Sequence, residues 1–274
     1  MKKNFAIIGN PIAHSLSPIL HNYWFKKYNI NAEYSLLNID EKDLDRVTKD
    51  IRSKKLSGIN ITLPYKQKII PFVDQLINDA KSTNSVNTVF LDENDTLIGE
   101  NTDVYGLQAA YFKELLDIEK KKALVIGAGG VSQSVIFSLQ KTKVKHISLI
   151  NRTYEKSIFM KKNFKLLNIL EWKSLKDEIN KFDIIINATS LGLKNGNDFN
   201  VKFDKVKDSL IYIDTIYNPP ETKTIRFLKN KGVKTFNGLD MFIYQGQKSF
   251  YLWNKINPEI DNGLIELLNS KLKK

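Results

Sequence analysis

A chain of 274 residues with 42% hydrophobic and 26% charged residues can bury a sizeable core and reads as a globular protein of one large or two modest domains. The absence of cysteine excludes disulfides and thiolate metal sites and fits a cytoplasmic protein, while three scattered histidines (His14, His21, His146) make no metal-ligand pattern. No apolar run of about 18 residues is present, so no membrane-spanning helix is expected, and the net charge of +12 is spread along the chain rather than gathered into a nucleic-acid-binding stripe.

Residues 4–9 read as a first strand, too short for a signal-peptide core, and Gly9-Asn10-Pro11 turns the chain out of it. His14-Ser15-Leu16-Ser17-Pro18 then opens an amphipathic helix near Ile19. Ser17 could simply cap that helix. Two serines beside a helix N-terminus could equally hold a carboxylate, because hydroxyls, free N–H groups and the helix dipole all favour an anion. An alternating strand over 33–39 and a charged helix over 42–51 lead to Gly58-Ile59-Asn60-Ile61-Thr62-Leu63-Pro64-Tyr65-Lys66.

On an extended strand Asn60 and Thr62 share one face, while Ile59, Ile61 and Leu63 take the other. Pro64 ends the strand, and Lys66 follows just beyond its end. An amide, a hydroxyl and an amine thus converge on a spot suited to a small polyhydroxylated molecule, and the amine can exchange a proton with it. Taken alone, the same stretch also reads as an edge strand with an exposed lysine. A polar helical segment follows, then a hairpin of 88–91 and 96–99, and Asn101-Thr102-Asp103 ahead of a long amphipathic helix. Asp103 in that helix's first turn is favourable electrostatically whether or not it has another role.

Residues 122–126 form a compact apolar strand running straight into Gly127-Ala128-Gly129-Gly130-Val131-Ser132, a dinucleotide fingerprint in the required strand–turn–helix context. Gly127 permits the tight turn, Gly129 lets backbone N–H groups approach a pyrophosphate, and Ser132 stands where a third glycine is common. The next strand, 146–150, ends in Asn151-Arg152-Thr153 with no acid for a ribose 2′-hydroxyl. A guanidinium there suits a 2′-phosphate and argues for NADP over NAD. Further strands are expected over 182–187, 210–214 and 234–236, and amphipathic segments over 246–253 and 262–272 pack back on the first domain. Gln245 reads by default as an exposed helix residue.

The ordered blocks Gly9-Asn10-Pro11, His14–Pro18 with His21-Asn22, Asn60–Lys66, Ser85-Val86-Asn87-Thr88 and Gly99-Glu100-Asn101-Thr102-Asp103 resemble the shikimate dehydrogenase family. So do Gly127–Ser132, Asn151-Arg152-Thr153, Asn187-Ala188-Thr189-Ser190-Leu191-Gly192, Asp214–Pro219 and Gly238-Leu239-Asp240-Met241 with Gln245. The resemblance spans essentially the whole chain. It implies a two-domain α/β fold, with an N-terminal α/β substrate domain, an NADP-binding Rossmann domain and a cleft between them. The expected divisions are 1–102, 103–237, and 238–274 as helices returning to the first domain. The implied activity is reversible reduction of 3-dehydroshikimate to shikimate with NADP(H), in chorismate and aromatic amino-acid biosynthesis. By the same resemblance, Lys66 and Asp103 are the catalytic pair, and Ser15 and Ser17 with Tyr217 hold the substrate carboxylate. Asn60, Thr62, Asn87, Asp103 and Gln245 address its hydroxyls. The implied cofactor contacts are Gly127, Ala128, Gly129, Gly130, Val131, Asn151, Arg152, Thr153, Lys156, Thr189, Ser190, Thr215, Gly238 and Met241. Asn78 departs from the family's frequent acid, which touches a secondary cofactor contact only. No metal, nucleic-acid or membrane partner is expected, and a homodimer is left open. Two other readings stand beside this one: a quinate/shikimate dehydrogenase of relaxed specificity, and a non-catalytic NADP(H)-sensing or nucleic-acid-binding module.

Overall fold

The structure, a computed structural model, describes residues 2–115, 117–193 and 196–272. The chain forms two units: Met1–Gly106 together with Ile243–Lys274, and Leu107–Phe242.

In the first unit, β1 (Lys3–Gly9), β2 (Ala32–Asn38), β3 (Gly58–Ile61), β4 (Gln75–Leu76), β5 (Thr88–Leu91) and β6 (Leu97–Glu100) form one mixed sheet in the order β2-β1-β3-β5-β6-β4. Between them run α1 (Ser17–Lys27), α2 (Leu44–Arg52) and α3 (Asn78–Thr83), and α4 (Asp103–Ala110) begins in this unit and carries the chain into the second. β1 lies parallel to both β2 and β3, whereas β5 runs antiparallel to β3 and β6. The two-residue period of a strand divides β1 between two cores. Ala6 and Ile8 pack with Val47 and Ile51 of α2 and with Ile59, Ile61 and Val89. Phe5 faces the other way, stacked 5.3 Å from Phe25 and 4.8 Å from Trp253.

His21 sits in that aromatic layer. It is fully buried, its ring lies flat on Tyr34 at 4.4 Å, and neither ring nitrogen has a partner in hydrogen-bonding geometry. Burial pushes its pKa from 6.5 down to about 3, opposed only in part by the Asn60 amide. The unfolded chain therefore binds a proton that the folded chain refuses. The His21 contribution to stability is fully present above pH 6.5 and is lost as the pH drops from 6.5 toward 3, approaching about 1.4 kcal/mol per pH unit. Replacing His21 with phenylalanine removes two unsatisfied buried nitrogens while keeping a flat ring. The variant should be as stable or more so at pH 7, with a shallower acid limb, in urea unfolding followed across pH 4–7. An unchanged acid limb would contradict this account.

The second unit holds β7 (Lys122–Ile126), α5 (Ser132–Lys141), β8 (His146–Asn151), α6 (Tyr154–Asn163), β9 (Asn168–Glu171), α7 (Leu175–Glu178), β10 (Ile184–Asn187), β11 (Ile211–Asp214), α8 (Lys223–Asn230) and β12 (Lys234–Phe236). Its strands are all parallel, in the order β12-β11-β10-β7-β8-β9. Such a sheet is covered on both faces, which is why its inner strands β7, β10 and β11 are nearly continuous apolar runs rather than alternating. Val125, Leu149 and Ile186 face one core with Val135 and Leu139 of α5, and Leu124, Ile150 and Ile185 face the other with Leu175 and Leu228. The strand order reverses between β7 and β10, the switch point where open α/β sheets take their ligands.

α9 (Leu239–Asn254) carries the chain from the second unit back into the first, and α10 (Asn262–Leu272) packs against α1. Trp24 Nε1 donates to the Glu259 carbonyl at 3.0 Å, Tyr23 donates to Asp261 at 2.7 Å, and Lys27 is ion-paired with Asp261. Those contacts, with Lys27 first among them, pull the Asp261 pKa down to about 2.

Several local expectations are revised. Ser17 is the first residue of α1 rather than its cap, and Leu16, which occupies the cap position, makes no side-chain capping bond. β3 ends at Ile61, so the alternation stops before Leu63, which is 56% exposed instead of facing the core. The helix after Asp103 is only eight residues long. β4 and β9, of two and four residues, are too short to leave a periodic signal. Among the described residues no helix is long and apolar enough to cross a membrane, and no group of three or more His, Cys, Asp or Glu could hold a metal ion.

Candidate active site

Lys66 and Asp103 come from separate elements, the turn after β3 and the first residue of α4, yet Lys66 Nζ lies 2.5 Å from Asp103 Oδ2. Their side chains are 11% and 5% exposed. The turn is held by the Lys66 carbonyl, which accepts from the Val86 N–H at 2.8 Å. Burying two charges costs several kcal/mol per ion unless further hydrogen bonds compensate. Asp103 gains one such bond, because its second oxygen accepts from Asn87 Nδ2 at 2.8 Å.

The Asn87 amide can point only one way. Its Oδ1 accepts from the Thr102 N–H at 2.8 Å, and a backbone N–H can only donate, so Nδ2 must face Asp103. The same Nδ2 approaches Gln245 Oε1 at 3.4 Å. Lys66, Asn87, Asp103 and Gln245 are thus gathered at one spot. Gln245, which read by default as a surface residue, belongs to it. Asn60 reaches this cluster differently. Its Nδ2 faces the Asn87 carbonyl, Thr88 Oγ1 and Ser249 Oγ at 2.9–3.0 Å, and its Oδ1 accepts from the Tyr34 hydroxyl at 2.8 Å. Every polar atom of Asn60 is engaged within the protein and the residue is 4% exposed, so the side chain expected to face a substrate hydroxyl is turned inward. Thr62 is half-buried, and its hydroxyl has no partner among the described residues.

Ser15 Oγ accepts from the Ser17 N–H at 3.3 Å and donates to Ser17 Oγ at 3.1 Å. Two hydroxyls therefore stand together at the start of α1, groups that a carboxylate favours there. Tyr217 belongs to the second unit, with its ring 4.8 Å from that of Phe242. A surface cavity of the first unit, about 400 Å³ and lined by Phe90, Leu91 and Trp253, contains none of these groups.

In the second unit the glycine turn follows β7 directly at the switch point. Gly127 has φ +107°, and a Cβ there would lie 2.6 Å from Thr189 Cγ2 and 2.9 Å from the Ala188 carbonyl. Gly129 has nothing closer than 4.0 Å, so backbone can be approached from outside at that point. The Ala128 N–H donates to Asn151 Oδ1 at the end of β8 and the Gly129 N–H to Ser132 Oγ at the start of α5, so these two donors, expected to face a pyrophosphate, have partners within the protein. Thr189 is anchored by Asn187 Oδ1, which accepts from both its N–H and its hydroxyl, and Thr215 donates to the Asn187 carbonyl. Asp214 accepts from Asn187, Thr222 and the Ile216 N–H, and burial still raises its pKa to about 6. Gly238 is obligatory, since a Cβ would sit 2.2 Å from the Thr215 carbonyl, and Met241 is buried in the core. At the end of β8, Arg152, Thr153 and Lys156 are exposed, and neither cation has an ion-pair partner among the described residues. A close-packed glycine turn, an open approach at Gly129 and an unpaired guanidinium fit a 2′-phosphorylated dinucleotide.

Sequence reasoning missed Tyr34, Thr88, Thr102 and Ser249. Thr88 and Thr102 lie beside residues it had singled out. Ser249 is one helical turn from Gln245, a spacing that could have drawn notice.

Comparison with known proteins gives two family matches, the shikimate dehydrogenase substrate binding domain over residues 7–89 and shikimate / quinate 5-dehydrogenase over residues 110–235. A shikimate dehydrogenase (NADP(+)) of Pelagibacter ubique is 46% identical over 269 residues, covering 98% of this chain and 100% of that protein. The crystal structure of shikimate dehydrogenase from Aquifex aeolicus superposes with a TM-score of 0.89 at 33% identity, covering 100% of this chain and 98% of the other. The Thermus thermophilus shikimate 5-dehydrogenase in complex with NADP(H) and shikimate gives 0.87 at 28% identity, covering 98% and 100%.

Proposed function

The chain belongs to the shikimate dehydrogenase family, and from that membership together with the buried Lys66–Asp103 pair we propose that it catalyses the NADP(H)-dependent, reversible reduction of 3-dehydroshikimate to shikimate. The pair carries this reading. A close lysine and carboxylate, joined by the amides of Asn87 and Gln245, offer a proton donor and several hydroxyl partners within one small volume.

When bound, NADPH supplies a hydride to the substrate ketone. Negative charge then develops on the ketone oxygen, where the Lys66 ammonium stabilises it and delivers the proton. Asp103 holds Lys66 in place and accepts from a neighbouring substrate hydroxyl. Asn87 fixes the Asp103 carboxylate, Gln245 and Thr62 contribute to hydroxyl recognition, and Ser15 and Ser17 take the carboxylate together with Tyr217. In the opposite direction Lys66 removes the hydroxyl proton as hydride leaves. On the cofactor side the Gly127–Val131 turn would hold the pyrophosphate, Arg152 with Thr153 and Lys156 would hold the 2′-phosphate, and Thr189, Ser190, Thr215, Gly238 and Met241 would line the remaining length.

The test is absorbance of reduced nicotinamide with shikimate or quinate, each offered with NADP+ or NAD+. Signal confined largely to shikimate with NADP+ is expected. Comparable rates with quinate would place the protein among broader-specificity dehydrogenases, and silence in all four mixtures would overturn the reading.

A further inference from the structure

Ser249 is fully buried on α9, and four groups surround its Oγ. Thr88 Oγ1 lies at 2.8 Å, Asn60 Nδ2 at 2.9 Å, Thr102 Oγ1 at 3.1 Å and the Gln245 carbonyl at 3.1 Å. These partners come from β3, from β5, from the segment leading into Asp103 and from the preceding turn of α9 itself.

The direction of several of these bonds is fixed. Asn60 Nδ2 is 3.0 Å from the Asn87 carbonyl, which can only accept, so that nitrogen is a donor and Ser249 Oγ accepts from it. The Gln245 carbonyl also can only accept, so the contact at 3.1 Å takes the single Ser249 proton. Ser249 therefore joins the backbone of the turn that bears Gln245 to the strand that bears Asn60. Thr88 and Thr102 add contacts next to Asn87 and Asp103 in the chain. A hydroxyl making only an i−4 back-bond would have no such reach.

We propose that Ser249 is a positioning residue for Gln245: its hydroxyl fixes the 245–249 turn of α9 against β3 and β5, so that the Gln245 amide meets the substrate from one defined direction. This rests on the reading of Gln245 as a substrate-binding residue. Ser249 touches neither substrate nor cofactor. Its loss releases the turn while leaving Asn60 the Asn87 carbonyl and Thr88 as acceptors, so the sheet keeps its polar partners.

The experiment is steady-state kinetics on four full-length proteins: wild type, Ser249→Ala, Gln245→Ala and the double variant. Ser249→Ala should raise the KM for shikimate by about tenfold, the scale of one to two lost hydrogen bonds, with the KM for NADP+ unchanged. In the Gln245→Ala background the same substitution should add less than twofold, because residues acting through one contact are not additive. An unchanged shikimate KM in Ser249→Ala would overturn the proposal. So would a full tenfold loss in the Gln245→Ala background, or a fall in kcat with both KM values intact. If Ser249→Ala does not fold, Ser249→Cys, which keeps the volume but has weaker hydrogen bonding, is read against the same criteria. Wild-type protein without turnover on shikimate would sink the functional reading instead, so the two failures are distinct.

Discussion

Alanine in place of Lys66 is expected to lower kcat for shikimate oxidation by about 10²–10⁴-fold, the contribution of a positioned acid–base group. Affinity for NADP+ should stay at the wild-type level, since Lys66 lies in the first unit and the glycine turn in the second. The cost to folding should be appreciable as well, about 3–5 kcal/mol for a buried carboxylate left without its cation. The substitution leaves Asp103 with its Asn87 partner but without its cation, and the neighbouring backbone bond from Val86 to the Lys66 carbonyl survives. Turnover should be followed at 340 nm, with NADPH binding measured by nucleotide fluorescence on the same preparation. A Lys66→Ala protein with near-normal kcat would refute the assignment, and one that loses NADPH as well would point to misfolding. Lys66→Arg is the sharper control: it keeps the charge, but a guanidinium stays protonated and should not rescue turnover.

The second large effect is expected at Arg152. Its guanidinium is exposed beyond β8 with no ion-pair partner among the described residues. A charge-assisted bond contributes about 1.5–3 kcal/mol. Arg152→Ala should therefore weaken NADPH by about 10–100-fold while changing NADH binding little, which collapses the preference between them. Calorimetric titration with both nucleotides reads this directly. Equal weakening of the two would mean that Arg152 acts on a part of the molecule they share. Because the 2′-phosphate contact is ionic and solvent-exposed, the wild-type preference should also shrink as salt is raised.

What could be read from sequence follows how local each signal is. The strand–turn–helix at Gly127 needs only neighbouring residues, and the parallel β7, β8 and β10 announce themselves as short apolar runs because both sheet faces are covered. The functional blocks around Lys66 and Asp103 were legible through family resemblance. Local chemistry alone left Asp103 as a helix-start acid and Lys66 as a surface amine. Other features depend on partners distant in the chain. That Asn60 faces inward is decided by Tyr34 and by Ser249, which lies 189 residues away, and a polar residue's own type does not say whether its partner is protein or ligand. The burial of His21 likewise depends on Phe250 and Trp253 from the far end of the sequence. Short β4 lacks enough residues for any period, and β9 is an edge strand of mixed character. The +12 net charge is spread as lysine along the whole sequence rather than gathered into one stretch, so it carries no local signal of its own.

The return of α9 and α10 to the first unit has a consequence for synthesis on the ribosome. The second unit is an uninterrupted stretch and can mature as soon as Phe242 has emerged. The first unit cannot, although its strands are made earliest. Trp24 waits for Glu259, Tyr23 for Asp261 and Asn60 for Ser249. Until the last thirty or so residues arrive, the half that carries Lys66 and Asp103 exposes the aromatic face of its sheet. A nascent chain stalled before Ser249 would thus hold a finished second unit and an unfinished first one.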